Sequence, residues 1–212
     1  MKKNSFNKII VLVSFLFCSL AQANLIVNGS FEDTDVANNH WLWYPSAADA
    51  GWDGSNIEIW ENFLGVQSTH GSQFAELNSH SSNDPAFSIF QSFNTKIGFS
   101  YDYSFSYRAR RNNKEAFNVE IFSQLAGGTP LLMDDHTTKG WSLFKGSFIA
   151  NAQISKIMFT SVYPKTGTVG NFLDNISVTA SVNQNNGTVP VPEPSSVLLI
   201  ALAILLLLRV KQ

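Results

Sequence analysis

Residues 99–108 read FSYDYSFSYR. Phe99, Tyr101, Tyr103, Phe105 and Tyr107 alternate with Ser100, Asp102, Ser104, Ser106 and Arg108. Successive side chains of a strand point to opposite faces. Strict period two with every ring on one side therefore describes an antiparallel strand with one face in a core and the other toward water. Working outward, shorter runs of the same kind occur at 24–27, 57–60, 73–77, 86–93, 117–123, 130–133, 141–149, 154–161 and 173–179. Turn chemistry separates them: Asn28-Gly29, Asp53-Gly54, Asn112-Asn113, Gly127-Gly128 and Gly167. No internal repeat and no long helical period interrupts the series. Residues 24–180 are thus expected to form one all-β domain, a two-sheet antiparallel jelly-roll sandwich.

The ends of the chain differ from this body. Lys2, Lys3 and Lys8 precede an apolar core at 9–20, and Ala21-Gln22-Ala23 follows with small residues, so 1–23 reads as a signal peptide cleaved after Ala23. Cys18 is the chain's one cysteine; bulky Phe17 before it argues against a lipoprotein site. A mature chain starting at Asn24 has no cysteine, so an exported domain must be held by its core or by a metal. Residues 181–191, SVNQNNGTVPV, are polar, Asn-rich and Pro-ended, as a flexible linker is. Pro192-Glu193-Pro194 then breaks any regular structure. An apolar single membrane helix is expected over 195–208, closed by Arg209 and Lys211. The unbroken apolar run of 197–208 covers roughly 18 Å as helix, short for a bilayer core of about 30 Å, so the flanking serines and snorkelling basic residues must contribute. Basic residues at both ends keep the termini inside and the middle translocated.

This order of Pro-Glu-Pro, apolar helix and terminal basic residues resembles the PEP-CTERM sorting signal of Gram-negative bacteria, here over 192–212. The resemblance implies a signal peptidase at one end and, at the other, an exosortase, an intramembrane cysteine protease cutting near Pro192, Glu193 and Pro194. The precursor would be anchored transiently in the inner membrane, then released to the cell surface or extracellular matrix. The basic end is thin, with only Arg209 and Lys211.

All sixteen acidic residues lie between Glu32 and Glu193, against nine basic ones. That balance excludes nucleic acid as a partner, since its affinity comes from neutralised phosphates. Near the start stands Asn28-Gly29-Ser30-Phe31-Glu32, and near the end Leu173-Asp174-Asn175. Alternation puts Phe172, Asp174, Ile176 and Val178 on one face; if that face is the core, Asp174 needs a partner. Calcium would answer this, with Glu32 as second carboxylate and backbone oxygens near Asn28 and Ser30. Hydrogen bonds from backbone, or a Lys or Arg, would answer it equally. Both segments resemble the ends of galactose-binding-like, jelly-roll carbohydrate-binding modules. That resemblance implies a structural calcium joining the two chain ends through Glu32 and Asp174.

Four of five tryptophans fall within 41–60. Trp52 and Trp60 read as core. Trp41, Trp43 and Tyr44 lie in a loop-like stretch and are the candidate glycan-stacking groups. Arg108 and Arg110, at a basic strand end running into Asn112-Asn113, are candidates for an acidic polysaccharide, or form a solvated hairpin tip. Enzyme signatures are absent: no Gly-x-Ser-x-Gly elbow, zinc-type His-Glu-x-x-His, phosphate loop or mature cysteine nucleophile. Asp134-Asp135-His136 reads as a polar turn rather than a metal site. Glu58, Glu76 and Glu120 are left as carboxylates whose separation the sequence does not give. The expectation is a non-enzymatic, exported surface or matrix protein that binds glycan or exopolysaccharide. A secreted glycan hydrolase or lyase, or a purely structural surface component, are the alternatives.

Overall fold

Eleven strands appear in the computed structural model, which describes residues 22–48, 51–80, 87–123 and 128–181. They are β1 (His40–Tyr44), β2 (Asp53–Gly54), β3 (Ile57–Glu61), β4 (Gln73–Glu76), β5 (Ser88–Asn94), β6 (Ser100–Arg108), β7 (Ala116–Phe122), β8 (Leu131–Met133), β9 (Ser142–Ile149), β10 (Ile154–Tyr163) and β11 (Phe172–Ala180). Among the described residues the only helical piece is a 3-10 turn at Phe63–Gly65. Apart from Gln22, Ala23 and Ser181, the expected signal peptide, linker and sorting signal lie outside the described residues.

All strand pairs are antiparallel and fall into two sheets, ordered β1-β3-β4-β11-β6-β9 (sheet A) and β2-β5-β10-β7-β8 (sheet B). Crossovers between the sheets make this a jelly-roll sandwich. The core lies between their inner faces. There β6 behaves as its alternation requires: Tyr101, Phe105 and Tyr107 are buried and Asp102 is exposed. Tyr101 stacks on Phe148 and Phe105 on Phe144, with ring centroids 5.4 and 5.2 Å apart. Opposite Tyr103 stands Gly146, where a Cβ would lie 2.6 Å from the tyrosine ring. Ile89, Phe93, Phe117, Val119, Ile157 and Phe159 supply the facing layer from sheet B.

Three expectations fail locally. The expected strand at 24–27 is absent. The segment instead runs beside β11, with Leu25 N–H donating to Val178 O at 2.8 Å and the Asn24 amide bonding Ile176 O and Val178 N–H. The Asp53-Gly54 turn is a two-residue strand paired with β5. Residues 40–44, read as loop-like, form edge strand β1. Its alternation was hidden because Leu42 and Trp43 are both exposed, as an edge position permits.

Candidate functional site

The residues singled out by type collect on the outer face of sheet A, around a buried tryptophan. Trp60 is fully buried. Trp41 stacks beside it at 6.5 Å, Phe63, Phe74 and Phe172 pack at 5.0, 6.0 and 5.1 Å, and the Arg110 guanidinium lies 4.5 Å from its ring. Arg110 then grips both oxygens of Glu76 at 2.8 and 2.7 Å, and Gly170 N–H donates to the same carboxylate at 2.7 Å. Glu58, directly opposite Glu76 on β3, accepts from Trp60 Nε1 at 3.1 Å and from the His80 N–H. Burial and the neighbouring Glu58 push the Glu76 pKa well above the usual carboxylate range, and Arg110 pulls it back. Glu58 and Glu76 are thus two carboxylates facing each other across adjacent strands. Here both are buried and their oxygens are engaged by donors, so the cluster's evident work is to hold the fold.

Trp41 and Arg110 are therefore brought together, but as partners of Trp60. Trp43 shares their face, opposite Glu58, and is 43% exposed. Tyr44 turns inward and packs on the core. Half-buried Arg108 donates to Thr138 O, and burial lowers its pKa. The Asn112-Asn113 turn is shaped from within, by buried Glu115 accepting from the N–H groups of Arg110, Arg111 and Asn112. In the 134–136 stretch, His136 is buried against Tyr107 and Phe117, bonded to Asn171 at 3.0 Å and held below its usual pKa by burial.

Asp174 does not share a face with Ile176 and Val178. The β11 register shifts between Asp174 and Ser177, and Asn175 takes a positive φ of 50°. This bulge puts Phe172 and Asp174 on the outer face, while Leu173, Ile176 and Val178 enter the core. Asp174 is buried under the loop before β4. Its Oδ2 accepts from Thr69 N–H, Thr69 Oγ1 and His70 N–H at 2.5, 2.7 and 3.0 Å. Glu32 binds the same loop further on, accepting from Ser72 N–H at 2.9 Å and Gln73 N–H at 2.7 Å. Ser30 is bonded to His70, and Asn28 O accepts from Trp52 Nε1. Among the described residues no three acidic, histidine or cysteine side chains gather as metal ligands. Glu32 and Asp174 thus clasp the same 69–73 loop, each through N–H and O–H donors.

The outer face of sheet B is of another kind, and none of its side chains was a candidate for glycan binding. On it, register aligns Ser92, Lys156 and Phe122 in one row, Asp53, Phe90, Met158 and Glu120 in the next, and Ser88, Thr160, Asn118 and Leu132 in a third. The Lys156 ammonium lies 4.2 Å from the Phe122 ring centroid and 4.8 Å from that of Phe90. Phe90, Phe122, Met158 and Lys156 are half-buried, and Leu132 is 47% exposed. The face thus offers two aromatic plates, a cation, a carboxylate, an amide and hydroxyls. The plates, two strands apart, have centroids within about 9 Å of each other, since both face the one ammonium at 4.8 and 4.2 Å. A signal for them was in the sequence: Phe90 and Phe122 fall on the polar parity of their strands, where serines, Asn118 and Glu120 also lie.

No protein-family model matches the sequence, and no curated protein matches it. Solved structures do resemble it. A family 4 carbohydrate-binding module is 16% identical, with a TM-score of 0.45, covering 74% of this chain and 99% of its own. A family 16 carbohydrate-binding module is 12% identical, with a TM-score of 0.47 over 74% and 99%. An α-L-arabinofuranosidase of family GH51, solved with arabinose, is 18% identical, with a TM-score of 0.50. It covers 78% of this chain, which spans 27% of that enzyme chain. At these identities the likeness is one of fold.

Proposed function

We propose that this chain is a non-catalytic glycan-binding protein and that the outer face of sheet B is its binding surface. The observation that carries the reading is the pair of half-exposed rings, Phe90 and Phe122, flanking Lys156 among hydrogen-bonding side chains. Sugar rings present apolar C–H faces and a rim of hydroxyls. Aromatic plates take the first; Lys156, Glu120, Asn118 and Thr160 take the second. Plates on strands two apart, within about 9 Å of each other, suit a ligand of a few linked sugars rather than one.

The carboxylates support the absence of chemistry. Glu120 is on sheet B, away from Glu58 and Glu76 on the outer face of sheet A, and those two are buried with their oxygens engaged by donors. Across sheet B, Asp53 and Glu120 stand three strand spacings apart, about 14 Å, beyond the reach of a glycosidase pair.

The same proposal takes the domain outside the cytoplasm. The signal peptide through Ala23 and the Pro192-Glu193-Pro194 tail support export, transient anchoring in the inner membrane and exosortase processing. Mass spectrometry of surface material should then find a chain that begins at Asn24 and stops near Pro192–Pro194. Affinity electrophoresis in gels containing neutral or acidic polysaccharides tests the binding face. Retardation by at least one polysaccharide, lost in Phe90→Ala/Phe122→Ala, is expected. Free migration in every gel, or retardation unchanged in the double variant, would overturn the reading.

A further inference from the structure

The outer face of sheet A changes character beyond the Asn175 bulge. There Thr179, Asp102 and Ser147 lie side by side across β11, β6 and β9, and Ser177, Ser104 and Lys145 form the adjoining row. These six residues, with Tyr103 and Gly146, line a cleft of about 540 Å³. Asp102, Lys145 and Ser147 are exposed; Ser104, Ser177 and Thr179 are half-buried. Among the described residues, none of the six side chains forms a hydrogen bond or ion pair within the protein. Elsewhere on this sheet the buried carboxylates Glu58, Glu76 and Asp174 are satisfied internally. Here four hydroxyls, a carboxylate and an ammonium converge with nothing between them.

Asp102 and Lys145 are diagonal neighbours on paired strands, about 7–8 Å apart with their Cβ atoms somewhat closer. At that separation their heads can reach each other, yet they form no ion pair. A group filling the gap must donate to Asp102 and accept from Lys145 while exchanging hydrogen bonds with serine and threonine hydroxyls. An alcohol does both, and several alcohols on one ring do so at once. Bonds to the two charged groups are the stronger ones. The six outward side chains include no aromatic plate, so the site selects by hydroxyl arrangement rather than by stacking.

We propose that this cleft is a second saccharide subsite, taking one neutral sugar ring or chain end between Asp102 and Lys145. It rests on the glycan-binding reading above and adds a contact on the opposite outer face of the sandwich. One molecule would then hold two glycan segments at once, a cross-linking rather than a merely adhesive role.

The test uses the purified full chain in detergent, with glucose, galactose, mannose, xylose and arabinose at millimolar concentration as probes. Saturation-transfer NMR reads binding to wild type, to Asp102→Asn/Lys145→Met and to Phe90→Ala/Phe122→Ala. Both Asp102 and Lys145 are exposed, so their variant should keep the wild-type melting temperature. At least one monosaccharide should bind wild type and the phenylalanine variant alike, and bind the Asp102/Lys145 variant at least tenfold more weakly. If monosaccharide binding survives in the Asp102/Lys145 variant, the subsite is refuted. Polysaccharide retardation would then still decide the sheet B face separately. Absence of any monosaccharide signal from wild type, with polysaccharide retardation intact, also refutes it. Silence in both assays removes the two readings together.

Discussion

The two outer faces of the sandwich use similar chemistry to opposite ends. At β1, β3 and β4 of sheet A, an arginine lies on a tryptophan ring, and both are closed in by carboxylates and aromatic side chains. On sheet B, a lysine lies between two phenylalanine rings that keep part of their surface in water. The difference is what covers each. Loops carrying Phe63, Val66, Trp141 and Gly170 close over the first cluster. Conspicuous residue types therefore mark where the fold is held, and a modest lysine between two phenylalanine rings marks the face proposed to meet a ligand. The sharpest break of this contrast would come from Trp60→Ala. Loss of a fully buried indole and its packing should cost about 3–5 kcal/mol. Denaturant unfolding should show it, whereas an equivalent truncation at half-exposed Phe122 should cost far less. Equal costs would erase the distinction.

Arg110→Met probes the same cluster more finely. It leaves Glu76 buried beside Glu58 without its cation, a loss of about 3 kcal/mol. The sign of its pH dependence follows from the raised Glu76 pKa. The native state holds that proton more tightly than the unfolded chain, whose carboxyl titrates near 4.5. The associated stability is full below that value and is lost as pH rises through the folded pKa. The variant's deficit should therefore be small in mild acid and grow toward neutral pH, by thermal melts across that range. A deficit independent of pH would mean that Glu76 does not titrate in this cluster.

Asp174 comes next in size. Asp174→Asn weakens three hydrogen bonds that bind the 69–73 loop to β11, and should cost about 1–3 kcal/mol. If these hydrogen bonds alone hold the loop, a chelator should leave the wild-type melting temperature unchanged. A fall of several degrees on chelation would show a bound cation in place of the hydrogen-bonded arrangement.

How much of this was legible can be argued from single positions. The alternation of 99–108 carried the fold because both its faces have unambiguous partners: rings against β9 and sheet B, polar groups toward solvent. Trp52 and Trp60 read correctly as core. Edge strand β1 was not legible, since Leu42 and Trp43 lie on opposite faces and both see water. Nor was the environment of Asp174: one bulged residue, Asn175, reverses the parity on which its placement rested. The partners of Arg110 could not be read either, because Glu76, Thr168 and Gly170 are distant in sequence and meet it only through the sandwich. Phe90 and Phe122 were visible as rings on the wrong parity, but that oddity gains meaning only when β5 and β7 are seen to flank β10.

The smallest expected effect bears most directly on function. An exposed cation–π contact is worth about 0.5–1 kcal/mol, so Lys156→Gln should lower stability by no more than that. A double-mutant cycle with Phe122→Ala would isolate the coupling. If Lys156 serves only to clip the two rings, the coupling will appear in unfolding while polysaccharide retardation stays at the wild-type level. If the ammonium also meets the ligand, retardation will fall in Lys156→Gln although both rings remain and the melting temperature scarcely moves. The second outcome is expected. A lysine that leaves Phe90 and Phe122 half-exposed holds two plates in place and keeps its own donors in water, where a hydroxyl can reach them.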